Sequence, residues 1–150
     1  MRPLLRPGDR HVFSYQVPRE KTVPFLYGES PDFRAMPEVF ATGFMVGLLE
    51  WACLDHLRVC VEPGEGSLGI AIDVTHAAPT VPGMTVTVTA VIEAIDGRRV
   101  TWRVEARDEV DLISEGRHQR MIVTWDRFAK KLDGKRAAWA VRPPREKQDS

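Results

Sequence analysis

Cysteine is scarce, and charge of neither sign predominates. The two cysteines, Cys53 and Cys60, lie seven residues apart. On one helix that spacing is two turns, beyond the reach of a disulfide. A disulfide scaffold is excluded, and reduced thiols with a cytoplasmic address are the default expectation. Twenty-one basic residues balance twenty-one acidic ones, so no overall field draws the chain to nucleic acid or to a membrane surface. No apolar run approaches the roughly 18 residues of a membrane span. Met1-Arg-Pro-Leu-Leu-Arg-Pro-Gly-Asp9 lacks the apolar centre of a signal peptide. There is no glycine-rich phosphate loop and no His/Cys/Asp cluster with metal-ligand spacing. No metal and no cofactor are therefore expected.

What is present suits one soluble domain: 150 residues, 43% apolar and 28% charged, enough to bury a sizeable core. His11 to Val17 alternates as a strand. From Pro18 to Pro37, prolines at 18, 24, 31 and 37 with Gly28 and Ser30 forbid a long helix. That loop nevertheless carries Val23, Phe25, Leu26, Tyr27, Phe33 and Met36. It covers something, either as a lid over a pocket or as a packed connection. Leu68 to Ala77 reads as a strand with Leu68, Ile70, Ile72, Val74 and His76 on one face. Met84 to Ile95 is β-branched and alternating. Asp96-Gly97 signals a tight hairpin, and Arg99 to Arg107 returns with Val100, Trp102, Val104 and Ala106 inward. The last strand spans about Leu112 to Trp125. Its alternation puts His118 and Arg120 on one face, which reads as solvated. Arg98, Arg99, Arg103 and Arg107 read as a solvated strand face too. The domain occupies about 1–128, and 129–150 is polar and expected to be loosely ordered, with Trp139 available to dock.

The chain is organised around one helix, roughly Thr42 to Val59. Its apolar residues cover nearly the whole circumference, so the helix is expected to be wrapped by other structure. Thr42 fits the N-cap position. Glu50 is the odd residue: its neighbours three and four positions away are Val46, Gly47, Cys53 and Leu54, none charged. It lies either on a thin solvent stripe beside Gly43 and Gly47 or in a site. One all-apolar helix with about five long antiparallel strands points to an α+β hot-dog fold, a sheet curled around a helix. Such a sheet leaves edges exposed, so a homodimer is expected.

Phe40-Ala-Thr-Gly-Phe-Met-Val-Gly-Leu-Leu-Glu-Trp-Ala-Cys53, Pro63-Gly-Glu-Gly-Ser-Leu-Gly69, Val74-Thr-His76 and Gly83-Met-Thr-Val-Thr-Val-Thr89 closely resemble the fluoroacetyl-CoA-specific thioesterase family. The resemblance runs from about residue 8 to 128. It implies a catalytic triad of Thr42, Glu50 and His76. It also implies that Gly69 lies close to the thioester, that Arg120 is near the site, and that Val23, Leu26 and Phe33 belong to a hydrophobic lid. Met36 departs from the pattern, standing where the family carries a phenylalanine that helps gate the selection of fluorine. The resemblance implies an acyl-CoA substrate and hydrolysis of fluoroacetyl-CoA as a detoxification. CoA is part of the substrate rather than a cofactor.

The same residues make chemical sense unaided. A thioester hydrolase needs a nucleophile or activated water, a proton shuttle and a stabilised oxyanion. His76 is the natural base near pH 7, although in phase with apolar residues it also reads as a core histidine. Glu50 orients the imidazole or attacks the carbonyl. Backbone N–H groups near Gly43 or at Gly69 suit an oxyanion. Glu50 and His76 are expected to meet across the helix–strand contact. Thr42 lies about 12 Å before Glu50 along the helix, too far for direct contact within one chain. Three other readings remain: a thioesterase for another small acyl-CoA, a hydratase, and a non-catalytic acyl-CoA-binding protein. A hydratase needs a dedicated Asp and His segment that is not evident, and a mere binder needs neither Glu50 nor His76.

Overall fold

The computed structural model describes residues 1–145. Five strands make one antiparallel sheet: β1 (Arg10–Gln16), β2 (Glu65–Val74), β3 (Thr85–Asp96), β4 (Arg99–Arg107) and β5 (Leu112–Thr124). Their spatial order is β1-β3-β4-β5-β2. The helices are α1 (Pro31–Arg34), α2 (Thr42–Leu57) and α3 (Trp125–Ala140).

β3 to β5 is a meander. Asp96 pairs with Arg99, and Gly97 between them has φ 60°, the left-handed value a two-residue hairpin demands. Alternation then works as expected: Val100, Trp102, Val104 and Ala106 of β4 are all buried. With the inward residues of β3 and β5 they form the floor beneath Met45, Leu49, Ala52, Cys53 and Leu57 of α2. This is the hot-dog arrangement, with α2 lying across one face of the sheet.

α2 is not wrapped all round. Gly43, Gly47, Trp51 and Leu54 are exposed. A five-stranded sheet covers only one side of a helix, and β1 reaches round only far enough to set Phe13 and Tyr15 against Trp51, with ring centroids 4.8 and 6.0 Å away.

β2 departs from the single alternation expected of it. Its register with β5 slips between Gly69 and Ala71, so Ile70 is the extra residue of a bulge. Before the bulge, Ser67 is buried and Gly69 faces the Glu50 side chain; after it, Ile72 and Val74 pack on the core. Leu68 and Ile70 turn instead to the outer face, where they line a groove with Phe128 of α3.

That groove accounts for a second correction. The stretch read as a loose tail from 129 is helical through Ala140, and the expected boundary at 128 falls inside α3. Trp125 anchors the helix by lying over Gly66, where an added Cβ would sit 2.0 Å from its ring. Alanine, lysine and arginine favour helix, and Arg136 pairs with Asp133 at 3.0 Å. Trp139 does not dock: it is 63% exposed. The rest of the expected tail, 146–150, lies outside the described residues.

The loop 18–38 contains two 3-10 turns, Arg19–Lys21 and Val23–Phe25, followed by α1. Its base is pinned. Thr22 bridges Phe40, the Val23 N–H donates to the Val39 carbonyl at 2.9 Å, and the Ala41 N–H donates to the Lys21 carbonyl at 3.1 Å. Among the described residues, no helix is long and apolar enough to cross a membrane.

Within the pairing of β2 with β5, Gly116 is held against backbone. Gly116, opposite Val74, has φ 154°, and a Cβ there would lie 2.0 Å from the Asp73 carbonyl oxygen. Gly116→Ala should cost about 2–4 kcal/mol, read as a lowered urea midpoint. An unchanged midpoint would mean that the strands part without cost.

Candidate active site

α2 starts without a side-chain cap. Ala41 holds the extended cap conformation, and its carbonyl accepts the Met45 N–H at 2.8 Å. Thr42, expected as the cap, is instead the first helical residue, because the Lys21 carbonyl already fixes Ala41 in place. The Thr42 hydroxyl is released from capping and lies 2.7 Å from His76 Nδ1. The first N–H groups of α2 are left without intrahelical acceptors.

His76 follows β2 directly. It is tethered on both sides by bonds to β5: Thr75 N–H to the Glu115 carbonyl at 3.0 Å and Ala77 N–H to the Ile113 carbonyl at 2.8 Å. With Thr42 on Nδ1, the working atom is Nε2, which is buried and has no hydrogen-bond partner among the described residues. Burial pushes the imidazole pKa below the ordinary histidine value, so the ring is neutral at pH 7. A neutral base therefore sits beside an uncapped helix N-terminus. That pairing suits attack on a carbonyl whose oxygen becomes negative.

Two helical turns on, Glu50 forms a second cluster. Its Oε1 accepts from Arg120 Nη1 at 3.3 Å. Arg120 is buried, although strand alternation marked it as solvated. Its Nε donates to Ser67 Oγ at 2.8 Å and its Nη2 to the Ser67 carbonyl at 3.0 Å. Gly69 stands opposite Arg120, and a Cβ there would meet Glu50 Oε1 at 2.5 Å. Only glycine lets the carboxylate lie against the strand. The sequence brings Thr42 to His76, and Glu50 to Gly69 and Arg120. It does not bring Glu50 to His76 as expected, since about 12 Å of helix separates the two ends.

A family model described as fluoroacetyl-CoA-specific thioesterase matches residues 17–126. The chain belongs to the fluoroacetyl-CoA-specific thioesterase family. A fluoroacetyl-CoA thioesterase from Streptantibioticus cattleyicolor is 52% identical over 138 residues, 92% of this chain and 99% of that one. A solved structure of a mutant fluoroacetyl-CoA thioesterase in complex with fluoroacetate is similar, with TM-score 0.85 and 53% identity. It covers 87% of this chain and 98% of its own. A thioesterase superfamily member from Thermus thermophilus is 33% identical with TM-score 0.82, covering 95% of this chain and all of its own.

In this thioesterase the loop 18–38 approaches the start of α2. The Leu26 side chain leans on Gly43, where a Cβ would lie 3.0 Å from Leu26 Cδ1. Val23 is half-buried in the second 3-10 turn. Phe33 stacks on Tyr27 with centroids 6.0 Å apart, and Met36 is 47% exposed. Leu26 thus lies against the start of α2, Val23 and Phe33 are half-buried, and Met36 is exposed.

Sequence reasoning missed Ser67 and misread His118. His118 is buried, its Nδ1 lies 2.8 Å from the Ala71 carbonyl, and it stacks on Trp102 with centroids 6.3 Å apart. The available signals were Gly69 inside a strand, which marks a bulge or a close approach, and the parity that puts His118 and Arg120 on the same face of β5 as Ile122. Cys53, beside this cluster, is no nucleophile: burial pushes its thiol up to about 12, against the opposing pull of Arg120.

Burial lowers the pKa of His56, His76 and His118 alike. As pH falls below about 6.5, the unfolded chain takes up protons that the folded one refuses. Stability should therefore fall as pH is lowered from 7.5 to 5.5. Urea midpoints at those pH values check this, and equal midpoints would show that the rings titrate alike in both states.

Proposed function

We propose that this chain hydrolyses a short acyl-CoA thioester, fluoroacetyl-CoA to fluoroacetate and CoA, and so removes a toxic ester. The observation that carries this is the Thr42 Oγ1–His76 Nδ1 contact of 2.7 Å at the uncapped start of α2, in a chain 52% identical to a fluoroacetyl-CoA thioesterase. Relatives of this structure were solved with fluoroacetate and CoA and with acetyl-CoA.

In this reading the first N–H groups of α2 receive the thioester oxygen. Thr42 fixes the His76 ring so that Nε2 faces the reacting centre. Glu50, oriented by Arg120 and Gly69, either attacks the carbonyl carbon or deprotonates the attacking water. The C–O bond forms, the C–S bond breaks, and the CoA sulfur takes a proton; where Glu50 is the attacking group, water then cleaves the resulting Glu50 anhydride, releasing the acid and restoring the carboxylate. No cofactor is needed. Fluorine and hydrogen differ little in size, and a hydrophobic pocket separates such groups weakly. Fluorine does make the carbonyl more electrophilic and the α-hydrogens more acidic, so discrimination falls on the reaction more than on binding.

The two clusters lie on one helix about 12 Å apart, and a homodimer supplies the remedy. Residues from both subunits then converge on one site. The exposed Trp51 and Leu54 on the uncovered face of α2, together with the unpaired edge of β2, support such an interface. Two free, buried cysteines support a reducing, cytoplasmic location.

Thiol release from fluoroacetyl-CoA and acetyl-CoA tests the reading. Wild type should act chiefly on the fluorinated ester, and His76→Ala and Glu50→Gln should each lower kcat by at least about 100-fold. Equal rates on both esters would remove the fluorine role. No release from either would leave an acyl-CoA-binding protein.

Met36 favours a second reading, a thioesterase for another small acyl-CoA, because a flexible thioether replaces the ring of the lid. Met36→Phe should then raise the fluoroacetyl to acetyl ratio of kcat/KM by roughly three- to tenfold. A ratio left unchanged would show that Met36 already serves the lid.

A further inference from the structure

His118 takes no part in the reaction outlined above, yet it is buried at the junction of all the elements that hold Glu50. We propose that His118 is a positioning residue, holding the Arg120 guanidinium against Glu50 and tying it to the β2 bulge. This rests on the thioesterase reading of the Glu50 cluster.

The atoms leave one arrangement. Arginine only donates, so His118 Nε2, 3.2 Å from Arg120 Nη1, is the acceptor. A carbonyl only accepts, so His118 Nδ1, 2.8 Å from the Ala71 oxygen, carries the hydrogen. Two independent contacts thus assign the same neutral tautomer. Burial, which lowers the ring's pKa, keeps it neutral.

The consequence for Arg120 follows from its geometry. Ser67 takes Nε and Nη2, fixing one edge of the guanidinium fork. The other edge, Nη1, reaches Glu50 Oε1 at 3.3 Å and His118 Nε2 at 3.2 Å. Without an acceptor at Nε2, one buried Nη1 hydrogen has no partner, and the edge that holds the carboxylate is free to turn. The Ala71 bond matters as well. Ala71 is the first paired residue after the slip, so the ring stitches the bulge that presents Gly69. His118 Cε1 would lie 3.3 Å from a Cβ at Gly69, which places the ring directly behind that close approach.

A histidine retained only for packing would need its ring against Trp102 but no acceptor at Nε2. Two variants separate the roles. In His118→Gln the amide oxygen reaches the Nε2 position and keeps the bond to Arg120. In His118→Asn the amide N–H sits at the Nδ1 position and keeps the bond to Ala71. kcat and KM are measured for each on the thioester that wild type hydrolyses best. The expected result is that Gln keeps kcat within about threefold while Asn loses about tenfold or more at nearly constant KM. Equal losses, or a greater loss in Gln, would overturn the proposal. Imidazole ¹⁵N shifts of the wild type at pH 7.5 give a readout independent of activity. They should show the neutral Nδ1–H form. A charged ring or the Nε2–H form would overturn the proposal even if no thioester is turned over, an outcome that would separately end the thioesterase reading.

Discussion

A guanidinium withdrawn from water sets the terms for the rest of this fold. Arg120 sits at the seam between helix and sheet, and a buried cation is tolerated only when its donors are matched. Matching them recruits a hydroxyl and a carbonyl from Ser67, a ring nitrogen from His118 and the carboxylate of Glu50. Each recruitment has a structural condition. Ser67 must face inward, so β2 must change phase before it reaches Ile72. Gly69 must lack a side chain, since any Cβ would displace the carboxylate. Glu50 must look out of an otherwise apolar helix. The oddities of the sequence in this region, a mid-helix acid, a glycine inside a strand and a basic residue on an inward position, are one requirement seen from three sides.

At the other end of α2 the logic runs in the opposite direction. There the chain withholds a partner where one is ordinary. Ala41 cannot cap, and Thr42, which could, is turned to His76. Helix N–H groups and an imidazole nitrogen stay available for a ligand. The middle of the helix is saturated with internal bonds and its start is kept short of them, which is the division between a scaffold and a reacting centre.

Much of this was legible in the sequence wherever a local rule decided the outcome. Asp96-Gly97 fixed a two-residue hairpin, and strict alternation from Arg99 to Arg107 named the buried face of β4. The triad positions followed from the resemblance; the structure sets Thr42 beside His76 and pairs Glu50 with Arg120, where a Glu50–His76 contact was expected. Arg120 and His118 stand opposite the inward Val100 and Trp102 in unbroken register, so their place in β5 made them interior and only their polar character read as solvated. What could not be read in β2 turned on a single inserted residue. The bulge at Ile70 is what leaves Leu68 and Ile70 on the outer face while Ile72 and Val74 pack on the core. Alternation carries no mark of such a slip. α3 was missed for a related reason. It is anchored by Trp125 over Gly66 and by Phe128 beside Leu68 and Ile70, contacts between residues far apart in the chain, and its later residues look like any polar tail.

The strand order has a consequence for how the molecule opens. β3, β4 and β5 meet their neighbours through short turns, so their contacts close small loops. β1 and β2 lie at the two edges and pair with strands distant in sequence. The bulged strand that carries Gly69, and leads into His76, is therefore an edge whose contacts close a long loop. Peeling it away would leave the meander intact. The hydrogen-exchange protection of this domain should rank accordingly, deeper in β4 than in the edge strands β1 and β2. One of the two strands that cost least to loosen thus carries Gly69 and leads into His76.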